Sequence, residues 1–307
     1  VSIRLTVVGI DDTVPGVRTL TLARPDHGPL PSFTPGSHIV IEYPGGANAY
    51  SLTGDPVTPT EYVVSVLECV DGRGGSRWVH SLGVDDSITI REPRSAFAPV
   101  LSAGRHLLIA AGIGITPMVS HLRSAKRWGR ETRLLYVHRD GHGAYVEELK
   151  SLTDGARFFT DRSTFLAELA VTLSDSPFGT HAYICGPAGF IDDVTAIAVD
   201  LGWPASRIHV EHFGGELEPG DPFEAELTSS GKRFVVESGV SLLEALEAHG
   251  VPVPNMCRQG VCGECRIPVR SGVLHHRDVY LSEAERQARD AMMACVSRAH
   301  GRVEVDL

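Results

Sequence analysis

The sequence has 307 residues, 42% of them hydrophobic and 21% charged, values close to those of ordinary globular proteins and a length that fits two or three domains better than one core. Its net charge of −10 argues against nucleic acid, which is held by clustered Lys and Arg, and leaves room for a neutral or basic protein partner. No apolar run reaches the roughly 20 residues that cross a bilayer, and residues 1–10 alternate like a strand rather than a secretion signal, so a cytoplasmic location is expected.

Residues 1–101 read as β structure. Alternating runs occur at Ile3, Leu5 and Val7, at Leu20 and Leu22, at Tyr62, Val64 and Val66, and at Ile88 and Ile90. Pro15-Gly16, Pro35-Gly36 and Pro44-Gly45-Gly46 punctuate them, a pattern of short strands that suggests a closed antiparallel barrel. Cys69 is expected to be an ordinary strand residue.

From residue 102 to 214 the period changes. The apolar run Leu107 to Ala110 leads into Gly112-Ile113-Gly114-Ile115. A helix should follow, with Thr116 as N-cap, Pro117 at the first helical position, Val119, Leu122 and Ala125 on its apolar side, and Gly129 at its end. Strand-like segments at 134–137, 157–160, 182–185 and 207–210 alternate with helical patterns, which implies a parallel sheet with crossover helices.

Residues 215–222 are rich in Gly, Pro and acid and read as a linker. The last region, 223–307, offers two strand-like runs and then a helix opened by the capping box Ser241-Leu242-Leu243-Glu244 and closed by Gly250.

Four of the six cysteines crowd into this region as Cys257-x4-Cys262-x2-Cys265-x29-Cys295. That is the plant-type spacing for a 2Fe-2S cluster, three thiolates from a tight loop and a fourth from a distant strand. Gly260 and Gly263 permit positive φ where such a loop turns. Zinc is the alternative, although zinc sites usually pair two short hooks. The strand-strand-helix lead-in and the four cysteines together resemble a β-grasp ferredoxin domain.

Gly112 and Gly114 stand where a strand turns into a helix, whose first amides and dipole favour phosphate. Pro117 replaces the last glycine of the dinucleotide fingerprint, so the motif alone is weak. Cys185-Gly186-Pro187, at the end of a later strand, and Tyr50-Ser51-Leu52 in the barrel strengthen it. These residues resemble the ferredoxin reductase superfamily, and their order ahead of the cysteine cluster resembles the phthalate dioxygenase reductase family over the whole chain.

The resemblance implies an antiparallel β-barrel flavin domain, an α/β parallel-sheet nicotinamide domain and an α+β β-grasp 2Fe-2S ferredoxin domain. It implies FMN and 2Fe-2S as cofactors, NADH as co-substrate, and a terminal oxygenase, of Rieske type, as the acceptor of single electrons. Tyr50 would pack on the isoalloxazine, Ser51 would bond near N5, Gly74, Gly75 and Ser76 would take the flavin phosphate, and Phe213 would cover the other flavin face. Thr116 and Cys185, with Gly186, would line the nicotinamide pocket without reacting covalently, and Thr116 can equally be only a cap. Asn48 stands where relatives commonly carry a phosphate-pairing Arg, and an amide brings no charge. Asp140 would bond a ribose diol and repel a 2′-phosphate, whereas the adjacent Arg139 could hold one. Two rival readings share these residues: a redox partner of a haem-thiolate monooxygenase, and a non-catalytic electron-transfer subunit.

Overall fold

The computed structural model describes residues 2–44, 46–70, 72, 74–95, 97–213, 220–255, 258, 260, 262–278 and 280–307. The chain forms two compact units, residues 1–44 with 50–213, and residues 45–49 with 214–307. Most of the expected linker lies outside the described residues.

The first unit begins with β1 (Ser2–Asp11), β2 (Val17–Ala23), β3 (Ser37–Tyr43), β4 (Gly46–Ser51, of which residues 46–49 are grouped with the second unit), β5 (Glu61–Leu67), α1 (Gly75–Ser81) and β6 (Ser87–Ser95). The strands make one sheet in the order β4-β3-β6-β1-β2-β5. Period-two alternation sends Ile3, Leu5 and Val7 of β1 inward beside Ile88 and Ile90 of β6, as a strand buried on one face requires. An isolated bridge between Leu52 and Val64 and a 2.9 Å bond from Thr53 N–H to the Val63 carbonyl join the two edges. The sheet thereby closes into the expected barrel.

The same unit continues with β7 (Arg105–Ala111), α2 (Thr116–Arg127), β8 (Thr132–Val137), α3 (Val146–Leu152), β9 (Ala156–Phe159), α4 (Arg162–Ser174), β10 (Thr180–Gly186), α5 (Ala188–Asp200) and β11 (Ile208–His212). These strands are parallel, in the order β11-β10-β7-β8-β9. Leu108 and Ala110 face a cluster with Met118, Val119 and Leu122 of α2 and Leu149 of α3. Leu107 and Ile109 face Phe165 and Leu169 of α4 and Ile191 and Val194 of α5. Helices thus cover both faces, which is why β7 reads as one continuous apolar run.

One local expectation is corrected. Thr116 is the first residue of α2 rather than its N-cap, and Pro117 follows it inside the first turn. Gly112–Ile115 form a 3-10 turn that runs straight into the helix, so Ile115, in the cap position, is already helical (φ −68°, ψ −25°) and presents no capping side chain. The Thr116 hydroxyl donates instead to the Ile113 carbonyl at 3.0 Å.

The second unit contains β12 (Phe223–Leu227), β13 (Arg233–Val236), α6 (Leu242–Ala248), β14 (Arg266–His275), α7 (Glu283–Ala288), β15 (Ala291–Met293) and β16 (Arg298–Val305). Its sheet runs β13-β12-β16-β14-β15, with β12 and β16 parallel and the other pairs antiparallel. The capping box forms as expected: Ser241 Oγ accepts from Glu244 N–H at 3.0 Å, and Glu244 Oε2 accepts from Ser241 N–H at 2.9 Å. Leu242, Leu243 and Leu246 of α6 bury against Phe223, Met292 and Val303.

His38 and His121 are among the buried histidines of the first unit. His121 on α2 donates through Nε2 to the Phe97 carbonyl at 2.8 Å and packs on the Phe97 and Tyr183 rings. Burial pushes its pKa down to about 3, and burial with nearby Arg94 pushes that of His38 down to about 4. A base whose folded pKa is depressed resists protonation only when folded, so stability is full above the unfolded value near 6.5 and is lost as pH falls below it. The unit should lose about 1.4 kcal/mol per pH unit per buried histidine over that fall. Denaturant unfolding at pH 7, 6 and 5 checks this, and the slope should be shallower in His121→Gln; an unchanged slope would clear His121 of the effect.

Candidate functional site

The C-terminal edge of the parallel sheet gathers several of the singled-out residues. Gly112 leaves β7 with φ +54°. Gly114 lies so close to the end of β10 that a Cβ would fall 2.3 Å from the Cys185 carbonyl oxygen and 2.7 Å from the Gly186 nitrogen. At Gly186 a Cβ would meet the Ala111 side chain at 2.9 Å and the Phe190 ring at 2.8 Å. Close backbone approach therefore requires glycine at both Gly114 and Gly186. Thr116 and Pro117 are buried behind this turn. Asp140 lies exposed in the loop after β8, its carbonyl facing the His142 ring nitrogen Nδ1 at 2.9 Å.

Cys185 is fully buried, and burial together with the Glu211 carboxylate holds its thiol well above the usual range. That thiol stays protonated and is no nucleophile at neutral pH. Glu211 pairs with Cys185 in the β10–β11 register. Burial raises its own pKa to about 8, and its Oε2 is buried with no hydrogen-bond partner. A buried polar atom left unmatched by the protein is open to a bond from a ligand or a water. The sequence reading passed over Glu211, because only strand register brings it beside Cys185.

In the barrel, Leu52 belongs to the core and Tyr50 is half-buried against it. The Ser51 hydroxyl is buried and has no hydrogen-bond partner, which fits a group supplied by a bound flavin. Asn48 is half-buried in β4. Gly74 precedes α1 with φ +98° and open space where a Cβ would point. Gly75 and Ser76 open that helix, and no side chain caps it. Ser76 Oγ accepts from Cys69 N–H at 3.0 Å, so part of its bonding capacity is already used inside the loop. Cys69 itself is an exposed loop residue beyond the end of β5, not the strand residue expected. Phe213 is 40% exposed directly after β11.

A residue that the sequence reading missed connects the two halves of this unit. Tyr145, just before α3, has φ +62°, and its hydroxyl lies 2.5 Å from Ser65 Oγ of β5 and 3.1 Å from Thr53 Oγ1. Thr53 is two residues beyond Ser51. A lone tyrosine in a loop carries no sequence signal for this role.

In the second unit Cys262, Cys265 and Cys295 are buried, and Cys257 lies outside the described residues. Interaction with Cys295 holds the Cys265 thiol below its usual range, against burial and the influence of Cys262, so the three sulfurs are neighbours. Clustered thiols of this kind suit a two-iron cluster, which spreads its ligands over two metals. The loop fits that group closely. Gly260 has φ +71° and a Cβ there would lie 2.6 Å from Val296; Gly263 has φ +86° and a Cβ there would lie 2.3 Å from the Tyr280 ring. The Cys265 carbonyl accepts from Ala294 N–H at 3.0 Å, tying the loop to the segment that carries Cys295.

Known proteins agree with this arrangement. Residues 86–208 match the family described as dimethylamine monooxygenase subunit DmmA-like, N-terminal domain, and residues 225–300 match the 2Fe-2S iron-sulfur cluster binding domain. The chain is 42% identical over 276 residues to the heme-dependent oxidative N-demethylase beta subunit of Ectopseudomonas mendocina, covering 89% of this chain and 88% of the relative. It is 32% identical over 308 residues to the phthalate dioxygenase reductase of Burkholderia cepacia, covering 97% and 94%. A solved phthalate dioxygenase reductase structure matches with TM-score 0.73 and 30% identity over 100% of this chain and 98% of its own. An intact type IV self-sufficient cytochrome P450 monooxygenase matches with TM-score 0.80 and 31% identity; this chain corresponds to 41% of its length.

Gly263→Ala should lower iron and sulfide content while leaving flavin content unaltered, since the methyl group is opposed both by the Tyr280 ring and by positive φ. Iron and flavin analysis of the same preparation checks this, and a full iron complement would show that the loop can yield.

Proposed function

The chain belongs to the phthalate dioxygenase reductase family, and from that premise we propose that it takes hydride from NADH and hands single electrons to a terminal oxygenase component. The observation that carries the reading is one chain holding both the crowded turn of Gly114 on Cys185 and the three neighbouring thiols of Cys262, Cys265 and Cys295. When bound, FMN supplies the exchange between a two-electron hydride and single electrons, and the 2Fe-2S cluster carries them one at a time.

The remaining work falls to the protein's own groups. Amides of the Gly112–Ile115 turn and the first turn of α2 hold the dinucleotide pyrophosphate. Asp140 accepts from the ribose diol. Thr116, Cys185 and Gly186 bound the space for the nicotinamide, and Cys185, protonated and buried, fills volume without attacking. The Glu211 carboxyl, with its raised pKa, stays largely uncharged below about pH 8 and so does not repel the incoming dinucleotide. Ser51 offers its unmatched hydroxyl to the flavin ring beside Tyr50, Phe213 covers the opposite face, and Asn48 with the amides of Gly74, Gly75 and Ser76 holds the flavin phosphate. Cys257, Cys262, Cys265 and Cys295 ligate the cluster.

A Rieske-type acceptor is the first reading. A haem-containing acceptor is the second, favoured by the name of the 42% identical relative and by the match to a self-sufficient P450. Titrating the reduced chain with a Rieske oxygenase and with a haem-containing oxygenase separates the two.

NADH-driven reduction of ferricyanide by the purified chain tests the reading as a whole, and its absence would reduce the chain to a passive carrier. Cys295→Ser should keep NADH-dependent flavin reduction and lose electron delivery to cytochrome c, read by stopped-flow absorbance. Asp140→Ala should narrow the preference for NADH over NADPH, because the carboxylate no longer repels the 2′-phosphate; an unchanged ratio of kcat/KM for the two coenzymes would place selectivity elsewhere.

A further inference from the structure

The second unit carries a cleft of about 480 Å³ lined by Leu274, His276, Glu283, Arg286, Gln287 and Arg289. Donors dominate it. The His276 side chain is nine-tenths buried; its Nδ1 faces the Asp278 carboxylate at 3.6 Å, and neither ring nitrogen makes a hydrogen bond. Arg286 gives one guanidinium nitrogen to the Asp278 carbonyl, while its Nε is buried and unmatched. Arg289 ends α7 in the left-handed conformation, φ +55°, and is exposed. The carboxylate of Glu283 is already engaged, accepting from Gln287 Nε2 at 3.1 Å. Buried donors without acceptors are costly unless something arrives to meet them.

This cleft borders the cluster loop. Asp278, two residues from His276, has its Cα 3.0 Å from where a Cβ on Gly260 would stand, and its carboxylate accepts from the Ser297 hydroxyl at 3.1 Å. Tyr280 packs on Gly263. The segment holding His276 therefore walls the loop of Cys262 and Cys265 and touches the stretch just after Cys295.

We propose that this cleft seats an acidic side chain of the electron-accepting protein, with the Arg286 and Arg289 guanidinium groups as its donors. The proposal rests on the reductase reading above and adds where the acceptor docks and with what charge. Two guanidinium groups suit a carboxylate by charge and by geometry. Proximity supplies the purpose: a partner anchored there sits against the wall of the cluster loop. The overall charge of −10 does not oppose it, because exposed charges are screened beyond about 8 Å at physiological salt and a docking contact reads the local set.

The test uses the full chain with its cofactors, acidic cytochrome b5 as the probe acceptor, basic cytochrome c as the opposite-charge control and ferricyanide as the small-acceptor control. At physiological ionic strength Arg289→Glu should slow NADH-driven reduction of cytochrome b5 by about tenfold, the scale of one lost charge-assisted contact, without slowing cytochrome c or ferricyanide. Arg289→Gly, which removes the charge while easing the left-handed backbone, should move the rate in the same direction. Glu283→Gln should speed the reaction with cytochrome b5. Unchanged cytochrome b5 rates in both Arg289 variants, or an equal loss with cytochrome c, would overturn the docking site. Failure of the unaltered chain to reduce ferricyanide with NADH would instead overturn the reductase reading.

Discussion

The contact of Gly114 with the end of β10 sets the geometry of the C-terminal edge of the parallel sheet. With 2.3 Å between a would-be Cβ and the Cys185 carbonyl oxygen, the turn leaving β7 lies directly on its neighbour. Any side chain there would push the start of α2 away from the sheet. From that one approach follow the burial of Thr116 and Cys185, the alignment of the first amides of α2 with the sheet edge, and the placing of Glu211 one strand further along. The protonated state of Cys185 follows as well, since a thiol packed this tightly has no water to stabilise its charge.

The barrel is held to the α/β half by polar contacts as well as by Val14 and Phe97, which pack into the α/β apolar cluster. Gly36 N–H donates to Ser120 Oγ at 2.9 Å, and a Cβ on Gly36 would fall 2.3 Å from the Phe97 carbonyl oxygen. Tyr145 reaches Ser65 and Thr53 from the other side. Hydrogen bonds are directional where apolar packing is not, so these ties fix an orientation as well as a proximity. Such a joint fixes the part of the barrel next to Ser51 relative to the α/β half.

What could be read from the sequence was whatever local chemistry or spacing decides. The Ser241–Glu244 box and the alternation of β1 and β6 each depend on residues near one another in the chain, and they appear in the structure as the pattern implied. The cap of α2 was misread because a 3-10 turn and an N-cap leave the same Thr-Pro signature, and only the backbone angles at Ile115 separate them. Tyr145 and Glu211 were not legible at all. Each gains its meaning from a partner on another strand or loop, and nothing in its immediate neighbours announces that partner.

The order of strands in the second unit has a consequence for assembly. β16, between β12 and β14 at the middle of the sheet, comes last along the chain, and its parallel pairing with β12 encloses the whole intervening segment, all four cysteines included. Closing so long a loop is slow and entropically costly. Iron bound by the four thiolates would cross-link the interior of that same loop, shortening the search that brings β16 home, so that metal loading and folding of this unit become one coupled event. With the ligation proposed above, iron supply would bear on how much of the protein reaches its folded form, and not only on how much of the folded form is active.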